Sequence, residues 1–93
     1  MGQKRGYVYI LANKHNTVFY VGVTSDLKKR VWQYKNKVVD GFTKKYQLNR
    51  FIYFENFGLI EEAVRREKYI KGKGRSFKKK LIEKISPDYE DLY

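Results

Sequence analysis

Two short runs rich in Tyr, Val, Phe and Ile, residues 7–12 and 17–23, flank the polar cluster Asn13-Lys14-His15-Asn16. Aromatic and β-branched runs bounded by turn residues favour strands, so the pair predicts a β-hairpin. With a four-residue loop, Tyr9 would stand opposite Tyr20. Thr24-Ser25-Asp26 then offers a helix N-cap, and Leu27, Val31, Tyr34 and Val38 recur at helical spacing along a basic segment that Gly41 closes. A third aromatic run, residues 50–54, predicts another strand. After Gly58, the stripe Ile60, Ala63, Val64, Glu67 and Ile70 predicts a second helix. A last helix, from about residue 76 to residue 85, buries Phe77, Leu81, Ile82 and Ile85. The order ββαβαα is that of an α+β domain, a small antiparallel sheet covered by helices.

Ninety-three residues hold one such domain. Ser86-Pro87 breaks the last helix, which sets a domain at residues 1–86 apart from an acidic C-terminal tail at 87–93. The tail either folds back on the basic surface or frays. No window approaches the roughly 20 apolar residues of a membrane span, and Met1-Gly2-Gln3-Lys4-Arg5 leads into a strand without a cleavable apolar stretch, so a cytoplasmic monomer is expected. The absence of cysteine excludes disulfides, thiolate metal sites and cysteine nucleophiles. A single histidine cannot build a zinc site without several carboxylates.

Charge narrows the partner. Lys and Arg number 21 against 10 Asp and Glu, a net charge of +11. A polyanion is implied, the alternative being a solvated basic surface that keeps the protein soluble, and nucleic acid fits better than a membrane because the charge is spread over several segments and no helix carries a large apolar interfacial face. Residues 65–84 carry ten basic side chains against Glu67 and Glu83. Lys71, Lys73, Arg75, Lys78, Lys79 and Lys80 from this stretch are the expected phosphate contacts.

Three groups of residues carry candidate chemistry. Glu67 falls inside an apolar stripe, where an unpaired carboxylate costs several kcal/mol, so it is paired with a cation, bound to a metal, or held at the stripe's edge near water. Arg30 and Tyr34 lie one helical turn apart, and a guanidinium fork beside a phenol suits a phosphate. Against this, Tyr34 also belongs to the apolar stripe and Arg30 is one cation among many. Tyr9 and Tyr20 put two phenols on one sheet face. A phenol near its ordinary pKa of about 10 is a poor base at neutral pH unless cations lower it, as this basic chain could. The alternative for both is aromatic packing of the core.

Taken together, Tyr7-Val8-Tyr9, Tyr20-Val21-Gly22, Arg30, Tyr34 and Glu67 resemble the GIY-YIG nuclease family. The likeness runs from about Gly6 to Ile85. It is greatest to the small stand-alone members, on the segments Tyr-Val-Tyr-Ile-Leu, Tyr-Val-Gly-Val-Thr-Ser-Asp-Leu and Arg-Arg-Glu-Lys-Tyr-Ile-Lys-Gly. Larger relatives include the incision subunit of bacterial nucleotide excision repair and some homing endonucleases. The resemblance implies a GIY-YIG endonuclease-like fold and a hydrolase that cuts DNA, with structured or branched DNA in repair or recombination as a substrate and RNA as a second class. It gives Tyr9, Tyr20, Arg30 and Tyr34 catalytic positions and makes Glu67 the ligand of one Mg²⁺ or Mn²⁺, bound weakly without substrate. Arg30 would neutralise developing charge, and Tyr9 would help deprotonate water. Tyr34 could act as a base, as an orienting hydrogen-bond donor, or in packing. Tyr7 stands where the motif has glycine, with Gly6 adjacent, and Val21 replaces isoleucine. The competing reading is a non-catalytic nucleic-acid-binding module. An RNA-recognition sheet is opposed by the element order, which begins with a hairpin.

Overall fold

Along β1 (Gly6–Ala12), Val8, Ile10 and Ala12 face one side and Tyr7, Tyr9 and Leu11 the other, and every one of them except Tyr7 is buried. A strand apolar on both faces needs cover on both. The computed structural model, which describes residues 4–36, 38 and 41–93 and only the backbone of 42 and 43, supplies it. Met1, Gly2 and Gln3 of the N-terminal run that leads into β1 lie outside the described residues. β1 is the centre of an antiparallel sheet ordered β2-β1-β3, with β2 (Phe19–Thr24) and β3 (Arg50–Phe57) at its edges. Helices α3 (Ile60–Lys71) and α4 (Arg75–Ile85) cover the Val8/Ile10/Ala12 face through Ala63, Ile70, Leu81 and Ile82. Helix α1 (Leu27–Lys35) covers the opposite face, where Leu27, Val31 and Tyr34 meet Tyr9, Leu11, Leu48 and Phe51. A four-residue helix, α2 (Phe42–Lys45), is added to the expected ββαβαα order. Among the described residues no helix is long and apolar enough to cross a membrane.

The hairpin register differs from the expected one. Ala12 pairs with Phe19, so Tyr9 faces Gly22, and Tyr20 faces Leu11. Asn13 is the cause: its side-chain oxygen accepts from the backbone N–H of Thr17 at 2.8 Å and of Val18 at 3.1 Å, and its amide donates to the Thr17 hydroxyl at 2.7 Å. Those bonds hold residues 17 and 18 in the loop. Because side chains alternate with period two, a shift of two residues keeps Tyr9 and Tyr20 on the same face.

Three further expectations change. β3 extends to Phe57 and carries a bulge, since Ile10 pairs with Tyr53 but Leu11 with Phe51. The extra residue lets Ile52 and Tyr53 both enter the α3/α4 core while Phe51 and Phe54 face α1. Helix α1 ends at Lys35, where the Asn36 side chain donates to the Trp32 carbonyl at 2.8 Å, so Val38 falls outside the helix and is 56% exposed. Ile85 is 49% exposed because Ser86, whose N–H still bonds the Ile82 carbonyl at 2.8 Å, turns inward instead.

The acidic segment 87–93 folds back. Leu92 N–H donates to the Phe51 carbonyl at 2.7 Å, Asp91 accepts from Phe51 N–H at 3.2 Å and pairs with Lys35, and Arg50 donates to the Tyr89 carbonyl. Its first attachment is therefore the open edge of β3, which an unpaired strand would otherwise leave with bare N–H and C=O groups.

Candidate active site

β1 and α1 bring two of the expected residues into contact. The hydroxyls of Tyr9 and Tyr34 lie 3.4 Å apart, with their rings edge to face at 6.1 Å. Phe51, which the sequence reading did not single out, packs on both, at 5.4 Å from Tyr9 and 5.8 Å from Tyr34. Its position on a predicted aromatic strand was the available signal, but only pairing with β1 decides which face it takes.

Gly22 makes room for this cluster. A Cβ at that position would lie 2.4 Å from both Cζ and the hydroxyl oxygen of Tyr9. The Tyr9 ring lies across the glycine, which explains why a tyrosine in one strand and a glycine in the next occur together.

Tyr9 is 1% exposed. Burial pushes its phenol well above the ordinary value of 10.0, and the hydrogen bond and charge of Tyr34 add to the shift, while the Arg30 guanidinium opposes it. The lowering that a basic chain could supply is outweighed by desolvation, so Tyr9 stays a neutral hydrogen-bonding group. Tyr53 is raised as well, by burial and by its hydrogen bond to Glu55. Both groups hold their protons more tightly folded than unfolded, so their contribution is complete below about pH 10 and is lost as the pH rises above it. The thermal midpoint is expected to fall steeply above about pH 10 and less steeply in Tyr9→Phe/Tyr53→Phe. Parallel pH profiles of the two proteins in calorimetry would contradict this.

Arg30 sits half-buried one turn before Tyr34 on α1. Helix α1 starts cleanly because Asp26 caps it, accepting from Lys29 N–H at 3.1 Å. Tyr20 is half-buried on edge strand β2, on the same face as Tyr9.

Glu67 comes from the other side of the sheet. It is 8% exposed within the buried stripe Ala63, Glu67 and Ile70 of α3. Lys71, one turn on, places its Nζ 2.6 Å from the carboxylate and 5.7 Å from the Tyr20 ring centroid. It therefore reaches round β2 and joins Glu67 to the tyrosine face. The carboxylate raises the Lys71 pKa through their hydrogen bond, against a smaller desolvation effect. Of the three options for Glu67, cation pairing is the one the structure displays, and the i,i+4 spacing was its signal in the sequence. Among the described residues no three acidic or histidine side chains gather into a cage. A lone hard-oxygen donor, paired with a half-exposed lysine, fits an ion that draws its other ligands from water and substrate.

The expected phosphate contacts divide. Arg75 donates to the carbonyls of Asn16 and Thr17 and stacks at 4.3 Å over Phe19, tying α4 to the hairpin loop. Lys73 lies 4.7 Å from the Tyr69 ring centroid, and Lys71 is held by Glu67. Lys79 and Lys80 are exposed on α4, with Lys78 half-buried beside them.

Residues 5–81 match the family described as the GIY-YIG catalytic domain. A UPF0213 protein of Clostridium perfringens is 38% identical over 86% of this chain and 85% of its own length. UPF0213 protein YazA of Bacillus subtilis is 31% identical over 94% and 87%. The solution structure of a UPF0213 protein from Bacillus halodurans superposes with a TM-score of 0.60 at 29% identity, covering 94% of this chain and 92% of that one.

Proposed function

The chain belongs to the GIY-YIG family, a nuclease domain family, and from that premise we propose that it is a divalent-metal-dependent endonuclease hydrolysing phosphodiester bonds of DNA, with structured or branched DNA in repair or recombination as its substrate. The observation that carries the reading is Glu67, a carboxylate 8% exposed in an apolar stripe, joined through Lys71 to the face that holds Tyr9, Tyr20, Tyr34 and Arg30. A purely structural stripe would place an apolar residue there at no desolvation cost.

Glu67 would hold the ion. A Mg²⁺ or Mn²⁺ held there would supply positive charge that stabilises the reacting phosphate. Arg30 clamps the non-bridging phosphoryl oxygens with its planar fork and opposes the charge that grows on them. Tyr9 and Tyr34, mutually hydrogen-bonded, orient the phosphate and the attacking water. Tyr20, the least buried of these three phenols, would hydrogen-bond the attacking water through its hydroxyl, and the water's proton would pass to bulk solvent. Lys78, Lys79 and Lys80 hold the backbone without reading sequence.

The test is cleavage of single-stranded, duplex and branched DNA and of RNA with Mg²⁺, Mn²⁺ or EDTA. Products are expected with either metal and none in EDTA, and Arg30→Ala is expected to slow cleavage on the order of 100-fold, as does the loss of one donor to a developing oxyanion. Arg30→Lys should recover only part, because ammonium lacks the fork. Binding without cutting across the whole panel would make the chain a nucleic-acid-binding module.

A further inference from the structure

A cavity of about 270 Å³ opens on the α1 side of the sheet, between the start of α1 and strands β1 and β3. Tyr7, Phe54 and Tyr93 give it aromatic walls, and Ser25, Asp26 and Lys28 its polar lining. The reaction above uses none of these residues. Tyr7 stands where the family motif has glycine, and Tyr93 lies beyond residues 5–81 that match the family. Tyr93 is 51% exposed, yet its place is fixed. Leu92 and Asp91 bond both backbone groups of Phe51, and the Tyr93 ring packs 5.9 Å from Phe51 and 6.1 Å from Phe54. The chain thus orders an aromatic ring beside a cavity while leaving half of it open to solvent.

We propose that this cavity receives one unpaired nucleobase of the bound strand, stacked against Tyr93 and Tyr7, an inference that rests on nucleic acid being the substrate. The volume is below the roughly 300–1,000 Å³ of pockets for larger ligands and suits one planar ring system. Asp26 uses one carboxylate oxygen to cap α1, at 3.1 Å from Lys29 N–H, and its other oxygen can accept from a base amino group. A carboxylate in the lining disfavours a phosphate there and favours the donor edge of a base, while Lys28 serves the adjoining phosphate. Tyr7 lies two residues before Tyr9 on the same strand face, roughly 7 Å at strand spacing, so the seated base belongs to a nucleotide next to the one at the tyrosine cluster. Duplex DNA keeps its bases stacked and paired, so the pocket selects strands with unpaired or easily extruded bases, as junctions and flaps provide.

The test uses the full chain in EDTA and a single-stranded oligonucleotide with 2-aminopurine in place of adenine and a dye at one end. Quenching of 2-aminopurine reports stacking, and dye anisotropy reports binding in the same sample. The wild type is expected to quench, and Tyr93→Ala to lose most of the quenching and about ten-fold in affinity, within the range found for single base–aromatic stacks. A matching strand with abasic sites at those positions should bind the wild type about ten-fold more weakly and Tyr93→Ala no differently. Tyr7→Leu, which keeps apolar bulk on β1, should repeat the loss of quenching. Anisotropy changes with equal quenching and affinity in Tyr93→Ala would overturn the base pocket and leave the nuclease reading standing. Failure to bind any nucleic acid would overturn both.

Discussion

Glu67→Gln is expected to lower metal-dependent cleavage by on the order of 1,000-fold or more while leaving affinity for the same DNA, measured in EDTA, within a few-fold of wild type. The substitution keeps shape and volume inside the stripe of Ala63 and Ile70, so the core does not change. It removes the charge that would bind the ion and releases Lys71, whose side chain is 50% exposed and is re-solvated easily. The ion pair is therefore a minor stability term, under about 1 kcal/mol. A lost negative charge beside a polyanion slightly favours binding, which separates this variant from one that has unfolded. Cleavage and anisotropy titrations on one protein preparation give both readings. Wild-type cleavage by Glu67→Gln would remove Glu67 from the reaction, and loss of both activities together would mark it as structural.

The second large effect is expected at Gly22, where alanine should cost about 3 kcal/mol of stability and most of the cleavage activity. The added methyl would lie 2.4 Å from Tyr9, and the ring cannot move aside because Phe51 and Tyr34 pack against it. The strands cannot separate either, since Tyr9 and Gly22 are directly paired across them. The double-mutant cycle decides the cause. In a Tyr9→Ala background the obstructing ring is gone, so Gly22→Ala should cost about 1 kcal/mol or less, a coupling typical of residues in contact. Denaturant unfolding of the four proteins measures it, and equal costs in the two backgrounds would show that backbone freedom, not the Tyr9 ring, explains the glycine.

Much of this molecule was legible in the chain. Strands and helices followed from apolar period, and α1 began where Asp26 offered a cap. A carboxylate at position 67 stood out because it interrupted a stripe whose neighbours are buried. Arg30 and Tyr34 share a helix, so one turn of spacing already placed them side by side. The hairpin register was not legible, because Asn13 takes two further residues into the loop through side-chain bonds that strand propensity does not register. The bulge in β3 was hidden for a similar reason: a run of Phe51, Ile52, Tyr53 and Phe54 is apolar throughout and carries no alternation to show which residue is extra.

What the sequence determined by itself was local: element types, the positive charge, and the identity of the residues that resemble a nuclease site. Those depend on interactions within a few residues, where period, caps and turn chemistry act. The tertiary structure decided which residues meet. It set Tyr9 against Tyr34 across 25 positions, joined Glu67 to the tyrosine face through Lys71, committed Arg75 to the hairpin loop, and turned the acidic segment into the partner of β3 that holds Tyr93 beside its cavity. It also decided the direction of the Tyr9 pKa, because desolvation depends on the layers closed over a side chain and not on the charges written beside it in the chain.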